Sequence, residues 1–397
     1  MTLNRRSLLG AGLAAGAGVA LDRVTVGEAA ATAQPPDGLD ASYPFEGRSQ
    51  AGVLTPRQAR AVFLAFDAFA PDRASLGDAI ATISDRARVL AAGHPTLLGY
   101  PGGEGPTPET GVLGVRVPPD GLTATIGFGA SMFDDRYGLA SRKPDGLEPM
   151  PVFGDDDIDP AATHGDVFLQ LCAHTEETLI NAVRDIMRAT RGSLALRWKV
   201  DGFQPLAARE SGAGRNLLGF KDGTANPGAA DAAKIVWHPD GGTFAVVRVI
   251  RNRVEFWDRV GRSEQELMIG RDKAVGAPLG RRHELDDPGY ADDPKGDRIP
   301  LDAHIRLARP RTPQTESQRV LRRGYNYQRG VDMAGQLDMG LVFVAFNRSI
   351  QQQFAKVQAR LAGEPLVDYV KPTGGGYFYL PPGARGAQDW VGSGLFV

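Results

Sequence analysis

Three stretches of the chain carry side chains whose types and spacing could do chemistry. Gly219-Phe220-Lys221-Asp222-Gly223-Thr224-Ala225-Asn226-Pro227 sets one carboxylate between two glycines and ahead of Asn-Pro. That is the composition of a tightly turned loop that presents Asp222; read alone, it is an ordinary Asp-Gly turn. Ala303-His304-Ile305-Arg306-Leu307-Ala308-Arg309-Pro310-Arg311 puts one histidine ahead of several cations. The chain has 6 histidines (His94, His164, His174, His238, His283 and His304), and none forms the closely spaced pair of zinc hydrolases. A lone imidazole suits an axial haem ligand, because the porphyrin supplies the remaining in-plane donors; the alternative is a hydrogen-bonded structural histidine. In Val320-Leu321-Arg322-Arg323-Gly324-Tyr325-Asn326-Tyr327, two arginines open a strand. They either face solvent or pair with a buried carboxylate or a developing anion.

Other chemistries find little support. Cys172 is the sole cysteine, which excludes an intramolecular disulfide and any Cys-built zinc or iron–sulfur site. No P-loop, dinucleotide fingerprint or nucleophile elbow is present. Asp155-Asp156-Asp157 and Asp286-Asp287 lack the EF-hand spacing and read as solvated loops. Lys+Arg at 45 against Asp+Glu at 47 leaves a net charge of -2, no electrostatic footprint for nucleic acid or an anionic membrane.

These residues need a scaffold. The 397 residues, 42% hydrophobic and 23% charged, suffice for two or three globular domains. Residues 1–33 read as an export address: Arg5-Arg6 precede the small and apolar run Leu8–Leu21, and Ala31-Thr32-Ala33 offers a cleavage site. Paired arginines before such a run resemble a bacterial twin-arginine signal, which implies a periplasmic or extracellular destination and no membrane span in the mature chain. Beyond it, Ala61–Phe69, Leu122–Phe128, Val167–Ala173 and Leu194–Val200 read as strands. A helix capped by Ser75 and ending near Gly93, and another over Thr175–Thr190, complete a β-α-β-β-α-β order. The second half repeats it more loosely. Strands are expected at Thr243–Ile250, Val254–Trp257, Tyr325–Tyr327, Leu341–Phe346 and Gly376–Leu380, with helices at Ser263–Ile269 (Glu266 in a capping box) and Ser349–Leu361. The pattern predicts an α+β protein of two ferredoxin-like domains with antiparallel sheets, at 48–215 and 216–397. A single mixed sheet is the alternative. The length of the segment from Arg271 to Arg323 points to function.

Together the three stretches resemble the dye-decolorising peroxidases, in particular their exported deferrochelatase-like branch. The likeness extends through Gly127-Phe128-Gly129-Ala130-Ser131-Met132-Phe133-Asp134, His164-Gly165-Asp166, Gln336–Phe343, Tyr369-Val370-Lys371-Pro372 and Gly374–Phe378. The resemblance implies haem b in the C-terminal half, with His304 as proximal iron ligand, Asp222 as distal acid–base residue and Arg322 as distal arginine. Gly223, Thr224 and Ala225 would follow along the haem face, and Arg309, Pro310 and Arg311 would lie beside the macrocycle. Arg309 departs from the Asn expected in close relatives, so Arg311 is the preferred propionate partner. Asp389, then Asp338, are the candidates to accept the second ring N–H of His304. The implied reaction reduces hydrogen peroxide while oxidising an organic one-electron reductant, best below neutral pH because a carboxyl does the proton transfer. A periplasmic iron-uptake role beside an iron permease, a non-catalytic haem carrier and a homo-oligomer stay open.

Overall fold

The structure is a computed structural model that describes residues 38–99, 107, 109–205 and 213–397; the export segment lies outside them. The N-terminal half runs β1 (Arg60–Ala68), α1 (Arg73–Ala92), β2 (Thr123–Gly129), β3 (Val167–Ala173), α2 (Glu176–Ala189) and β4 (Leu194–Phe203). Its strands lie in the order β2-β3-β1-β4, every neighbouring pair antiparallel. This is the ferredoxin-like arrangement.

The C-terminal half begins with α3 (Ala229–Val236) and β5 (Thr243–Asn252), then α4 (Arg262–Ile269) and α5 (His304–Ala308). It closes with β6 (Tyr325–Val331), β7 (Leu337–Asn347), α6 (Phe354–Leu361) and β8 (Val370–Leu380). Its strand order β8-β5-β7-β6 repeats that of the first half. The two sheets meet edge to edge, β8 against β2 through Phe378↔Gly129 and Tyr379↔Phe128, and β4 against β6 through Phe203↔Asn326. Both pairings together close the eight strands into a ring, through seams of two residue pairs and one.

Strand periodicity explains how one ring supports two cores. On β3, Val167, Leu169, Leu171 and Ala173 face the helices, while Phe168 and Cys172 face inward. β1 divides the same way, Val62, Leu64 and Phe66 outward against Ala61, Phe63 and Ala65 inward. Inside the ring Phe168 stacks on Phe378 with centroids 4.6 Å apart. A strand buried on both faces reads as a continuous apolar run, as VFLQLCA does.

Three local expectations are corrected. The N-cap of α1 is Asp72, whose carboxylate accepts the Ser75 N–H at 2.8 Å; Ser75 sits inside the first turn. Gly261 caps α4, and Glu266, instead of closing a capping box, takes Arg262 Nε at 2.8 Å and Lys273 N–H at 2.9 Å. Val254–Trp257 forms one helical turn, not a strand. The Trp257 indole there donates to Leu218 O at 3.0 Å and packs edge-on against Phe220, in a small core that supports the Asp222 loop.

Candidate active site

The Asp222 loop is built by local hydrogen bonds. Asn216 Oδ1 accepts from the N–H groups of Leu218 and Phe220, both at 3.1 Å, and Asp222 N–H donates to Gly214 O at 2.7 Å. Gly223 follows at φ 104°, backbone that an L side chain rarely adopts, and the turn closes with Asn226 N–H on Gly223 O at 2.9 Å. The long segment before α5 grips the loop from outside. Glu284 accepts Thr224 Oγ1–H at 2.8 Å and pairs with Lys221, two residues flanking Asp222–Gly223. Burial alone would raise the Glu284 pKa, but Lys221 and Thr224 outweigh it and hold the carboxyl below its ordinary value.

Arg322 arrives on a two-residue strand, Leu321–Arg322, paired with β7 at the edge of the sheet. Its Nη1 donates to Asp222 Oδ1 at 2.8 Å, so residues 100 apart in sequence meet as an ion pair. Neighbouring Arg323 serves structure instead: it is buried and bonded to Thr55 O, Pro56 O and Gln58 Oε1.

His304 is the first residue of α5. Its Nδ1 lies 2.9 Å from Glu364 Oε2, and Glu364 is 5% exposed. The expected partners are elsewhere. Asp389 caps the C-terminal loop through Arg385 N, Trp390 N and Ser393 Oγ, and Asp338 pairs with Tyr327 and Arg329. Glu364 carries no local signal in the sequence; it reaches His304 because α6 returns the chain past α5. Burial disfavours an imidazolium, yet the Glu364 carboxylate outweighs it and raises the His304 pKa. With Nδ1–H committed to Glu364, Nε2 is the ring nitrogen left with a lone pair. Arg360 fixes the other end of α5, donating to Leu307 O at 2.8 Å and Ala308 O at 3.3 Å. Two of the free carbonyls of the helix terminus are thereby paired.

One cavity of about 300 Å³ joins these groups, lined by Asp222, Gly223, Thr224, Ala225, His304 and Arg322 and also by Arg309, Arg311, Arg319 and Glu364. Of the expected contacts only Pro310 stays out of its wall. Leu341 and Phe343 of β7 and Leu366 and Val370 supply apolar lining. Asp156, read from sequence as solvated, is instead buried against Arg248 in the same wall.

The residues suit haem on three counts. A single oriented imidazole offers one lone pair. The lining is mostly apolar. Arg309 Nε and Arg319 Nε are buried without a hydrogen-bond partner among the described residues, donors of the kind an anionic propionate satisfies. Arg311, the preferred propionate partner, lines the cavity but also pairs with Asp287 at 2.7 Å. Arg309 pairs loosely with Glu316 at 3.6 Å, and burial with the nearby cations Arg319 and Arg311 lowers its pKa.

Comparison with known proteins places the chain in a class. The N-terminal family model of Dyp-type peroxidases matches residues 50–204 and the C-terminal model residues 213–385. The chain belongs to the Dyp-type peroxidase family, haem enzymes that reduce peroxide. Among its relatives is the deferrochelatase of Escherichia coli strain K12, 47% identical over 375 residues, covering 91% of this chain and 88% of the relative. Solved structures resemble it closely. The DyP-type peroxidase of Cellulomonas bogoriensis aligns with TM-score 0.81 and 35% identity over 91% of this chain and 99% of that one. Ferric DtpA of Streptomyces lividans aligns with TM-score 0.79 and 33% identity over 90% and 97%.

Proposed function

We propose that His304 ligates the iron of haem b in this cavity, and that Asp222 and Arg322 perform the acid–base and electrostatic work on peroxide. The observation that carries the reading is the convergence of two pairs, Arg322–Asp222 and His304–Glu364, on one cavity. When bound, haem would supply two-electron reduction of hydrogen peroxide, balanced by two successive one-electron oxidations of an organic reductant. Asp222 Oδ1 is engaged by Arg322, which leaves Oδ2 to take a proton from one peroxide oxygen and return it to the other, so that water departs. Arg322 stabilises the charge that gathers on the leaving oxygen, a preorganised contribution of about 3 kcal/mol. Glu364 orients the His304 ring and strengthens its donation through Nε2. Gly223, Thr224 and Ala225 line the face beside Asp222, while Arg309, Arg311 and Arg319 receive the propionates and Pro310 shapes the chain between the first two.

The test is stopped-flow reaction of the haem-loaded protein with hydrogen peroxide. Asp222→Asn should slow it about 10²–10⁴-fold with haem still bound. A wild-type rate in that variant removes Asp222 from the role.

The organisation proposed for the whole protein follows from this reading: 1–33 as a twin-arginine export signal, 48–215 as the first ferredoxin-like unit and 216–397 as the haem-binding one. The destination is periplasmic or extracellular. No described helix is long and apolar enough to cross a membrane. Fusing residues 1–33 to a reporter, with Arg5 and Arg6 replaced by lysine as control, tests the export step.

The deferrochelatase relatives favour a second use of the same cavity in iron acquisition from haem. Metal-free porphyrin recovered after incubation with haem, absent in the His304→Ala protein, would establish it; intact haem throughout would refute it.

A further inference from the structure

We infer that Asn226 is the positioning residue that holds the Arg322 guanidinium against Asp222, an inference that rests on the role proposed above for Arg322. Arg322 occupies an edge strand with one neighbour. Arg323 N–H donates to Val344 O at 2.8 Å, so that residue faces β7. Because successive residues of a strand turn their peptide groups to opposite sides, the N–H and C=O of Arg322 point away from the sheet. The Asn226 side chain fills that side. Its Nδ2 donates to Arg322 O at 2.7 Å, and its Oδ1 accepts Arg322 N–H at 3.1 Å. One amide thus replaces the pair of bonds that an adjacent strand would exchange.

Asn226 is itself tied to the catalytic loop. Its own N–H closes the turn on Gly223 O at 2.9 Å, and Pro227 behind it confines it to extended backbone. Loop and strand therefore move as one body, although their ion pair spans 100 residues of sequence. A second tie is needed because the Arg322–Asp222 attraction weakens whenever Asp222 holds a proton. The amide clamp carries no charge and keeps its strength through the cycle.

The experiment is a double-mutant cycle on haem-loaded protein, read by stopped-flow reaction with hydrogen peroxide. Asn226→Ala should slow that reaction about 10–100-fold, the size of effect expected from displacing a positioned group by about 1 Å. Haem content and resting spectrum should match wild type. Placed in an Arg322→Ala background, Asn226→Ala should cost no more than about twofold further. Asn226→Ser, too short to make both bonds, should behave like Asn226→Ala and serves if the alanine protein fails to fold. A wild-type rate in the single variant, or a full second drop in the double variant, overturns the inference. If Arg322→Ala runs at the wild-type rate while Asn226→Ala is slow, the assigned role of Arg322 falls as well, which separates the two failures.

Discussion

The two halves share one strand order and differ in what covers it. In the N-terminal half α1 buries nine residues, among them Leu76, Ile80, Ile83 and Leu90, and α2 adds Leu179, Ala182, Val183 and Ile186. In the C-terminal half α6 buries Phe354 alone, and α5 buries none of its residues. Those helices stand off the sheet, and the space between is the cavity. A duplicated architecture thus becomes one closed core and one open one. Interiors pack to crystal-like density unless a ligand takes the place of side chains.

The sharpest way to break this comparison is to remove the imidazole. His304→Ala should strip haem from the purified protein or abolish its normal Soret spectrum, while the described N-terminal packing is untouched; an unchanged spectrum would contradict the ligand assignment. Next in size is the closed core. Ile80→Ala should cost about 2–5 kcal/mol in urea unfolding with the peroxide rate per bound haem unaltered. Leu361→Ala in the cavity wall should do the reverse, costing less stability and more haem retention. Glu364→Gln should lower haem affinity about 10–100-fold, measured by transfer to an apo-haem acceptor, since the partner of a ligating histidine typically contributes that much.

The smallest effect concerns pH. Glu284 has a depressed pKa in the fold, so its ties to Lys221 and Thr224 add stability above the ordinary carboxyl range. That stability is lost as pH falls through the lowered value. Glu284→Gln should flatten the acid limb of a stability–pH curve measured by thermal unfolding; an unaltered limb would deny Glu284 this part.

The covered half was the more legible from sequence, for a physical reason. Apolar spacing on α1, α2, β1 and β3 reports directly on burial, and those elements are nearly where periodicity places them. The C-terminal half obscured itself. Trp257, aromatic in a β-prone run, is helical because its indole serves the Asp222 loop, and no local pattern encodes a service to residues 39 positions away. Tyr325 and Tyr327, on the strand that follows Arg322-Arg323, are buried in the ring.

What the chain alone determined is a set of candidate groups. Asp222 between its glycines, His304 ahead of its cations and the paired Arg322-Arg323 stand out only together, through a family resemblance carried by residue type and local turn signals written in neighbouring letters. What only the tertiary structure decided is who holds them. Glu364 behind His304, Asn226 beneath Arg322, and Glu284 around the Asp222 loop act across 60, 96 and 60 residues respectively. Any carboxylate or amide of suitable reach could have served each role. Ring closure and the stand-off of α5 and α6 from the sheet selected these, since a hydrogen bond depends on where a fold delivers two atoms and not on the distance along the chain between them.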